Sequence, residues 1–402
     1  MKPIHYYIPF VNLLIAALLG VLLRAAFVFP LEGITFLYVL HGHSHVALLG
    51  WLYLLVYVLF VEQFALQTPE EDLFYRRLFW VTQIAVVGMT VTFPFQGYAV
   101  PSIFFSTLHI ICSYVFAYRL GRYHRIIPKK QALWMKTALF FMVFSTLGVW
   151  FLGPAIGMMG KASAFFQLCI QFFLHFQFDG WFFTAFIALL FPYAFSTSQV
   201  NNSLNRLYVL WIAGVVLTYA LPVSWYHANP FLYYFNGGGV ILQTLALYAV
   251  IKPLWKRYRR EQTTTPFSMN GVFILGISCM GIRLVLQLLT LIEPLALALK
   301  GMRAWIVGFI HLNMLGIFTA LGLWLLFQKE KFKFNRSTKV GCFLLFLGFI
   351  LTESLLGLQG LQHFVQLSFV DNDIQVQLLF WFSILLPASV VCFLVSGTRS
   401  KA

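Results

Sequence analysis

Long apolar runs, separated by short polar stretches, fill most of the chain. Crossing a bilayer takes about 20 consecutive apolar residues. The runs predict helices near 8–29, 40–64, 78–96, 101–121, 133–158, 164–195, 204–223, 233–254, 270–298, 304–328, 338–360 and 375–397. The polar stretches are only loops in length, which leaves no room for an extramembrane domain. No small-residue cleavage site follows the first run, so it reads as a retained helix rather than a signal peptide. The expected fold class is all-α, a polytopic membrane protein of about 12 transmembrane helices.

Composition supports this reading. Of 402 residues, 60% are hydrophobic and 10% charged, whereas a soluble domain carries roughly 25% charged residues. Aromatics make up 18%, with 45 Phe, which suits a lipid-facing surface and a cofactor-packing interior. The net charge of +15 would point to nucleic acid on a soluble protein. Here the charges sort by side instead. Arg76 and Arg77 follow the second helix, and Arg119, Arg122, Arg125, Lys129 and Lys130 follow the fourth. Lys252, Lys256, Arg257, Arg259 and Arg260 follow the eighth, and Lys329, Lys331, Lys333, Arg336 and Lys339 follow the tenth. With the termini, Lys136 and Arg206, 22 of the 27 basic residues fall on one face. The positive-inside rule makes that face the cytoplasm and puts both termini there. The expected location is a bacterial inner membrane, with the lipid bilayer as partner and no nucleic acid. The five cysteines lie in apolar runs without C-x-x-C spacing, which supports neither a disulfide framework nor a zinc site.

Three segments share a pattern: His45 to Gly50 and Trp51, His175 to Gly180 and Trp181, His311 to Gly316 and Ile317. Each is H-x4-G, then a bulky residue and an apolar run. The histidines recur every four helices, which suggests three pseudo-symmetric four-helix units, about 1–130, 131–266 and 267–402, within one transmembrane domain. All three would sit at similar depth in the outer half of the membrane. Of the ten histidines, only His5 and His124 fall on the cytoplasmic side.

An ionisable group inside a membrane is costly and is a functional hypothesis by default. Imidazole is a standard axial ligand of haem iron, and two at one depth on different helices could clamp a haem. The glycine after each histidine lies on nearly the same helical face. A flat macrocycle or a neighbouring helix could therefore approach closely at Gly50 and Gly316. The plainer alternative is that each histidine hydrogen-bonds a neighbouring helix. His41 and His45, at i and i+4, could share one metal. His175 and Asp179 have the same spacing and could hold a non-haem metal; equally, Asp179 could be a buried hydrogen-bonded carboxyl. Arg24 and Arg283 could each neutralise a haem propionate, or pair with Glu293 or Glu353.

With these residues in hand, the chain resembles the large subunit of haem–copper oxidases and nitric oxide reductases. The stretch Ile310-His311-Leu-Asn-Met-Leu-Gly316 is similar to the reductases' H-x-H-L-A-L-F-G pattern. The resemblance implies that His311 and a helix-2 histidine, most simply His45, ligate one low-spin b-type haem. The stretch His175-Phe-Gln-Phe-Asp179-Gly180-Trp181 resembles H-L-W-V-E-G-V-W, whose histidine binds the non-haem metal, copper or iron. His43-Ser-His45-Val-Ala-Leu-Leu-Gly50 is also similar to the H-A-H-E-M-L-F-G helix of NnrS-type haem–copper membrane proteins. Two family features differ. Phe309 stands where the high-spin haem ligand would be, and the seventh helix holds no histidine, His227 lying just beyond it. The resemblance thus implies one bis-histidine haem b, an incomplete second site for copper or non-haem iron, and a role in electron transfer or in handling nitric oxide or oxygen. Two alternatives stay open: an active oxidase or reductase with unconventional ligands, and a cofactor-free transporter or scaffold. No C-x-x-C-H motif is present, so an electron donor would be a separate protein or quinol.

Overall fold

The computed structural model describes residues 1–195, 202–261 and 267–397. The described residues are helical, with no β-strand among them. Among them, 12 helices are long and apolar enough to cross a membrane. They are α1 (Ile4–Ala25), α2 (Phe36–Phe64), α3 (Pro69–Gln96), α4 (Val100–Arg122), α5 (Lys129–Met159), α6 (Ala164–Ala194), α7 (Ser203–Ser224), α8 (Pro230–Arg260), α9 (Met269–Leu289), α10 (Arg303–Gln328), α11 (Arg336–Val365) and α12 (Asn372–Ser396). The protein is a multi-pass membrane protein of the expected all-α class.

Helix ends follow local chemistry. At α3 the Thr68 hydroxyl accepts from the Glu71 amide, Pro69 opens the first turn, and Glu70, Glu71 and Asp72 face the positive end of the helix dipole. The largest departure from the predicted spans is at α9, expected to run to residue 298. It stops at Leu289, and a separate short helix covers Glu293–Ala298. Pro294 explains the break, because its ring clashes with the carbonyl four residues upstream and it donates no amide hydrogen.

Burial distinguishes three helices. The most apolar windows of α2, α6 and α10 are 83%, 78% and 61% buried, against 50% at most for the other nine. A helix that is apolar on all sides belongs inside a bundle, and these are the three that carry the H-x4-G pattern.

The same three share a backbone irregularity. Each contains a π-helical turn: Val46–Leu52, Phe176–Phe183 and Leu312–Thr319. Each begins at the residue after the histidine. Such turns are rare and frequent at functional sites. A π turn joins residue i to i+5, which places each glycine one turn from its histidine, on the histidine's own face. Threonine hydroxyls follow the wide turn in two cases: Thr319 donates to the Met314 carbonyl at 2.7 Å and Thr184 to that of Asp179 at 3.5 Å.

The chain divides into two compact units. One holds α1 to α3, the first half of α4, the first half of α9 and α10 to α12. In it α2 packs between α1 and α3, and α11 packs on α10 and α12. The other holds the second half of α4, α5 to α8, and the segment Met280–Gly301. In it α5 packs along α6, and α8 along α7.

Candidate functional site

Three histidines of α2 fall on two faces, since residues two apart are about 200° apart around a helix. His43 faces α1, where its Nδ1 donates to the Ala16 carbonyl at 2.8 Å. The ring fits because Gly20 has no side chain; a Cβ there would stand 3.1 Å from His43 Cε1. His45 uses its Nδ1 on the His41 carbonyl of its own helix, also at 2.8 Å. Its ring stacks on Phe93 at 4.1 Å, and Tyr98 lies edge-on to His41 at 4.7 Å. A carbonyl only accepts, so both bonds assign the proton to Nδ1 and leave the Nε2 lone pair free to ligate.

On α10, His311 directs Nδ1 at Oε1 of Glu353 on α11, 3.5 Å away. Gly308 opens the space for that carboxylate: a Cβ at 308 would lie 3.2 Å from Glu353 Oε2. His43 is within coulombic range of both His311 and Arg24, and Arg24 within range of Glu353 and Arg303. Arg24, His43, His311 and Glu353 are thus linked electrostatically, with His311 and Glu353 in direct contact. His45 belongs to another set, with His41 and with His109 of α4. The helix-2 histidine gathered with His311 is His43, two residues from the expected His45.

In the second unit, His175 bonds through Nε2 to the Val215 carbonyl of α7 at 2.7 Å, the opposite nitrogen to that used by the α2 histidines. Asp179 does not face an open ligand position. Its Oδ1 receives the Arg283 guanidinium at 2.6 Å and its Oδ2 the Gln243 amide at 3.3 Å. Arg283 is 1% exposed and lies 3.9 Å from the Phe183 ring centroid. The partner of Arg283 is thus Asp179, not Glu293 or Glu353, and of the two roles for Asp179 the buried, bonded carboxylate describes its contacts. Gln287 extends the network by donating to Gln243 at 2.9 Å. Among the described residues, no three His, Cys, Asp or Glu side chains gather as a metal-ligand set.

The three pattern glycines are sites of helix contact. A Cβ on Gly50 would meet Val86 of α3 at 2.8 Å and Asn12 of α1 at 3.2 Å; on Gly180 it would meet Phe141 of α5 at 2.7 Å. On Gly316 it would meet Cys279 of α9 and Phe349 of α11, both at 2.7 Å. Gly50 thus receives α1 and α3, Gly180 receives α5, and Gly316 receives α9 and α11. Of the two roles open to Gly50 and Gly316, the neighbouring helix occupies the space.

Sequence reasoning did not anticipate the contact of His311 with Glu353 or the bond of His43 to α1. The signals present were Gly308, one turn before His311, and the single acid within the α11 sequence, Glu353. No protein-family model matches the chain, and comparison with curated proteins gives no match.

Proposed function

We propose that this chain is a haem-binding membrane protein in which His43 of α2 and His311 of α10 ligate one b-type haem. One observation carries the reading. Two imidazoles, on the two helices of the first unit whose apolar windows are most buried, act on each other electrostatically, with His43 Nδ1 bonded to the Ala16 carbonyl and His311 Nδ1 3.5 Å from the Glu353 carboxylate. Ligand histidines are held in this way, with the second nitrogen donating to a carbonyl or carboxylate that sets tautomer and basicity. The residues present fit the group. Among the described residues neither Nε2 makes a hydrogen bond, and Arg24 supplies a positive charge beside the pair for a carboxylate such as a propionate. When bound, a haem with two imidazole ligands supplies one-electron redox chemistry.

The protein's own part is positional. The Ala16 carbonyl holds the His43 ring, and the Glu353 carboxylate lies 3.5 Å from Nδ1 of His311. The resemblance to haem–copper proteins supports a role in electron transfer or in nitric oxide or oxygen handling, with a separate protein or quinol as donor. The basic residues at the α2–α3, α4–α5, α8–α9 and α10–α11 connections support a bacterial inner-membrane location with both termini in the cytoplasm. Asp179 and Arg283 neutralise each other in this reading and serve the packing of the second unit.

An optical spectrum with metal analysis of the purified full-length protein tests the proposal. The expected result is a Soret band, a sharp low-spin α band on reduction, and about one iron per chain. A protein purified with no Soret absorbance, and unable to take up added haem, would rule it out.

A further inference from the structure

A hydrogen bond that touches neither imidazole joins the two helices that carry His43 and His311. Trp51 of α2 donates through Nε1 to the Thr319 hydroxyl of α10 at 3.1 Å. The same hydroxyl donates to the Met314 carbonyl, inside the π turn of α10, at 2.7 Å. A hydroxyl can accept and donate at once, and this one does both. Trp51 and Thr319 are fully buried. About one turn further along, the two helices are in close contact: a Cβ on Gly322 would lie 2.6 Å from Leu55 Cδ2.

The tie stands symmetrically with respect to the two histidines. Trp51 follows His43 by eight residues, and Thr319 follows His311 by eight. In each helix the π turn falls within that interval. A π turn takes one residue more than an α turn. Eight residues across it therefore advance as seven do in an α-helix, about 700°, within about 20° of two full turns. Trp51 thus lies on the face of His43, and Thr319 on that of His311. Without the wide turn the offset would be about 80°. Because Trp51 and Thr319 meet, His43 and His311 each face the other's helix, two turns from the tie. His45 precedes Trp51 by six residues, and the same count turns it about 140° away.

The second unit contains the same pair of bonds in a different setting. Trp211 of α7 donates to Thr184 of α6 at 2.9 Å, and Thr184 to the Asp179 carbonyl at 3.5 Å. There the indole comes from a helix without histidine. The device braces a π turn in both units; in the first it also joins two histidine-bearing helices.

We propose that Trp51 and Thr319 are positioning residues for the haem ligands. Their bond fixes the register of α2 against α10, and the π turns bring His43 and His311 onto the tied faces at one level. The two imidazoles are then held ready for one iron, as a ligand pair requires of its supporting residues. This inference rests on the ligand reading above and adds what holds that pair in place.

Electron paramagnetic resonance of the oxidised, haem-loaded full-length protein, together with haem titration, tests the tie. Thr319→Val nearly keeps the shape and removes both bonds. It should shift the low-spin g values, convert part of the haem to a high-spin form and weaken haem binding about tenfold. Thr319→Ser keeps the hydroxyl and should retain the wild-type signal. Thr184→Val loses the equivalent bonds in the second unit and should leave the signal unchanged. Should Thr319→Val fail to fold, Trp51→Phe takes its place, since it removes the donor and keeps an aromatic ring; it should shift the signal in the same way. A wild-type signal and affinity without the bond would overturn the proposal. So would an equal shift in Thr184→Val, which marks a general loss of packing, or in Thr319→Ser, which assigns the effect to shape. A wild-type protein that takes up no haem would overturn the ligand reading and the tie together, whereas haem bound alike by wild type and Thr319→Val overturns the tie alone.

Discussion

His311 and Glu353 face each other across the α10–α11 contact, imidazole Nδ1 to carboxylate Oε1 at 3.5 Å, in the space Gly308 leaves open. Removing such an anchor from a ligand histidine typically weakens metal affinity about 10- to 100-fold. Glu353→Ala should therefore bind haem that much more weakly while keeping its helical content. Titration of the apoprotein with haem, read at the Soret band, measures it. Unchanged affinity would remove Glu353 from the site.

The Asp179–Arg283 pair is almost fully buried, with side-chain exposures of 10% and 1%. Breaking a buried pair from one side leaves an uncompensated charge, at a cost of about 3–5 kcal/mol, whereas replacing both partners by apolar groups is often neutral. Asp179→Leu and Arg283→Met should each lower the unfolding midpoint strongly, and the double variant should recover most of the loss. Additive losses in that cycle would show that the two residues do not act as a pair.

Two glycines of α5 should respond in opposite ways. A Cβ on Gly148 would lie 2.4 Å from the Cys169 carbonyl oxygen of α6, and backbone cannot rotate aside; one on Gly157 would meet nothing within 4 Å. Gly148→Ala should cost about 1–3 kcal/mol as overpacking does. Gly157→Ala should be neutral or stabilise by up to about 1 kcal/mol through helix propensity. Thermal unfolding in detergent distinguishes the two.

The twelve crossings were legible because apolar length alone identifies a membrane helix. The recurrence of H-x4-G was legible too, and it marked the three most buried helices. What that pattern meant locally was not. A π turn depends on which carbonyl an amide selects after packing, and nothing in the residues from Val46 to Leu52 announces it. The glycines were correctly read as points of close approach, but sequence could not say whether helix or macrocycle comes close. The different surroundings of His43 and His45 were hidden for a similar reason. Helical spacing puts them on different faces, yet only α1, through Gly20 and the Ala16 carbonyl, decides which face looks toward His311. Asp179 and Arg283 were each noticed, but their pairing joins residues 104 apart in sequence, beyond any local pattern.

The most direct test of the central claim compares the reduced-minus-oxidised spectra of His43→Ala, His45→Ala and His311→Ala with that of the wild type. The pairing of His43 with His311 predicts that both of those variants lose the low-spin haem signal while His45→Ala keeps it. Loss of the signal in His45→Ala with retention in His43→Ala would contradict that pairing.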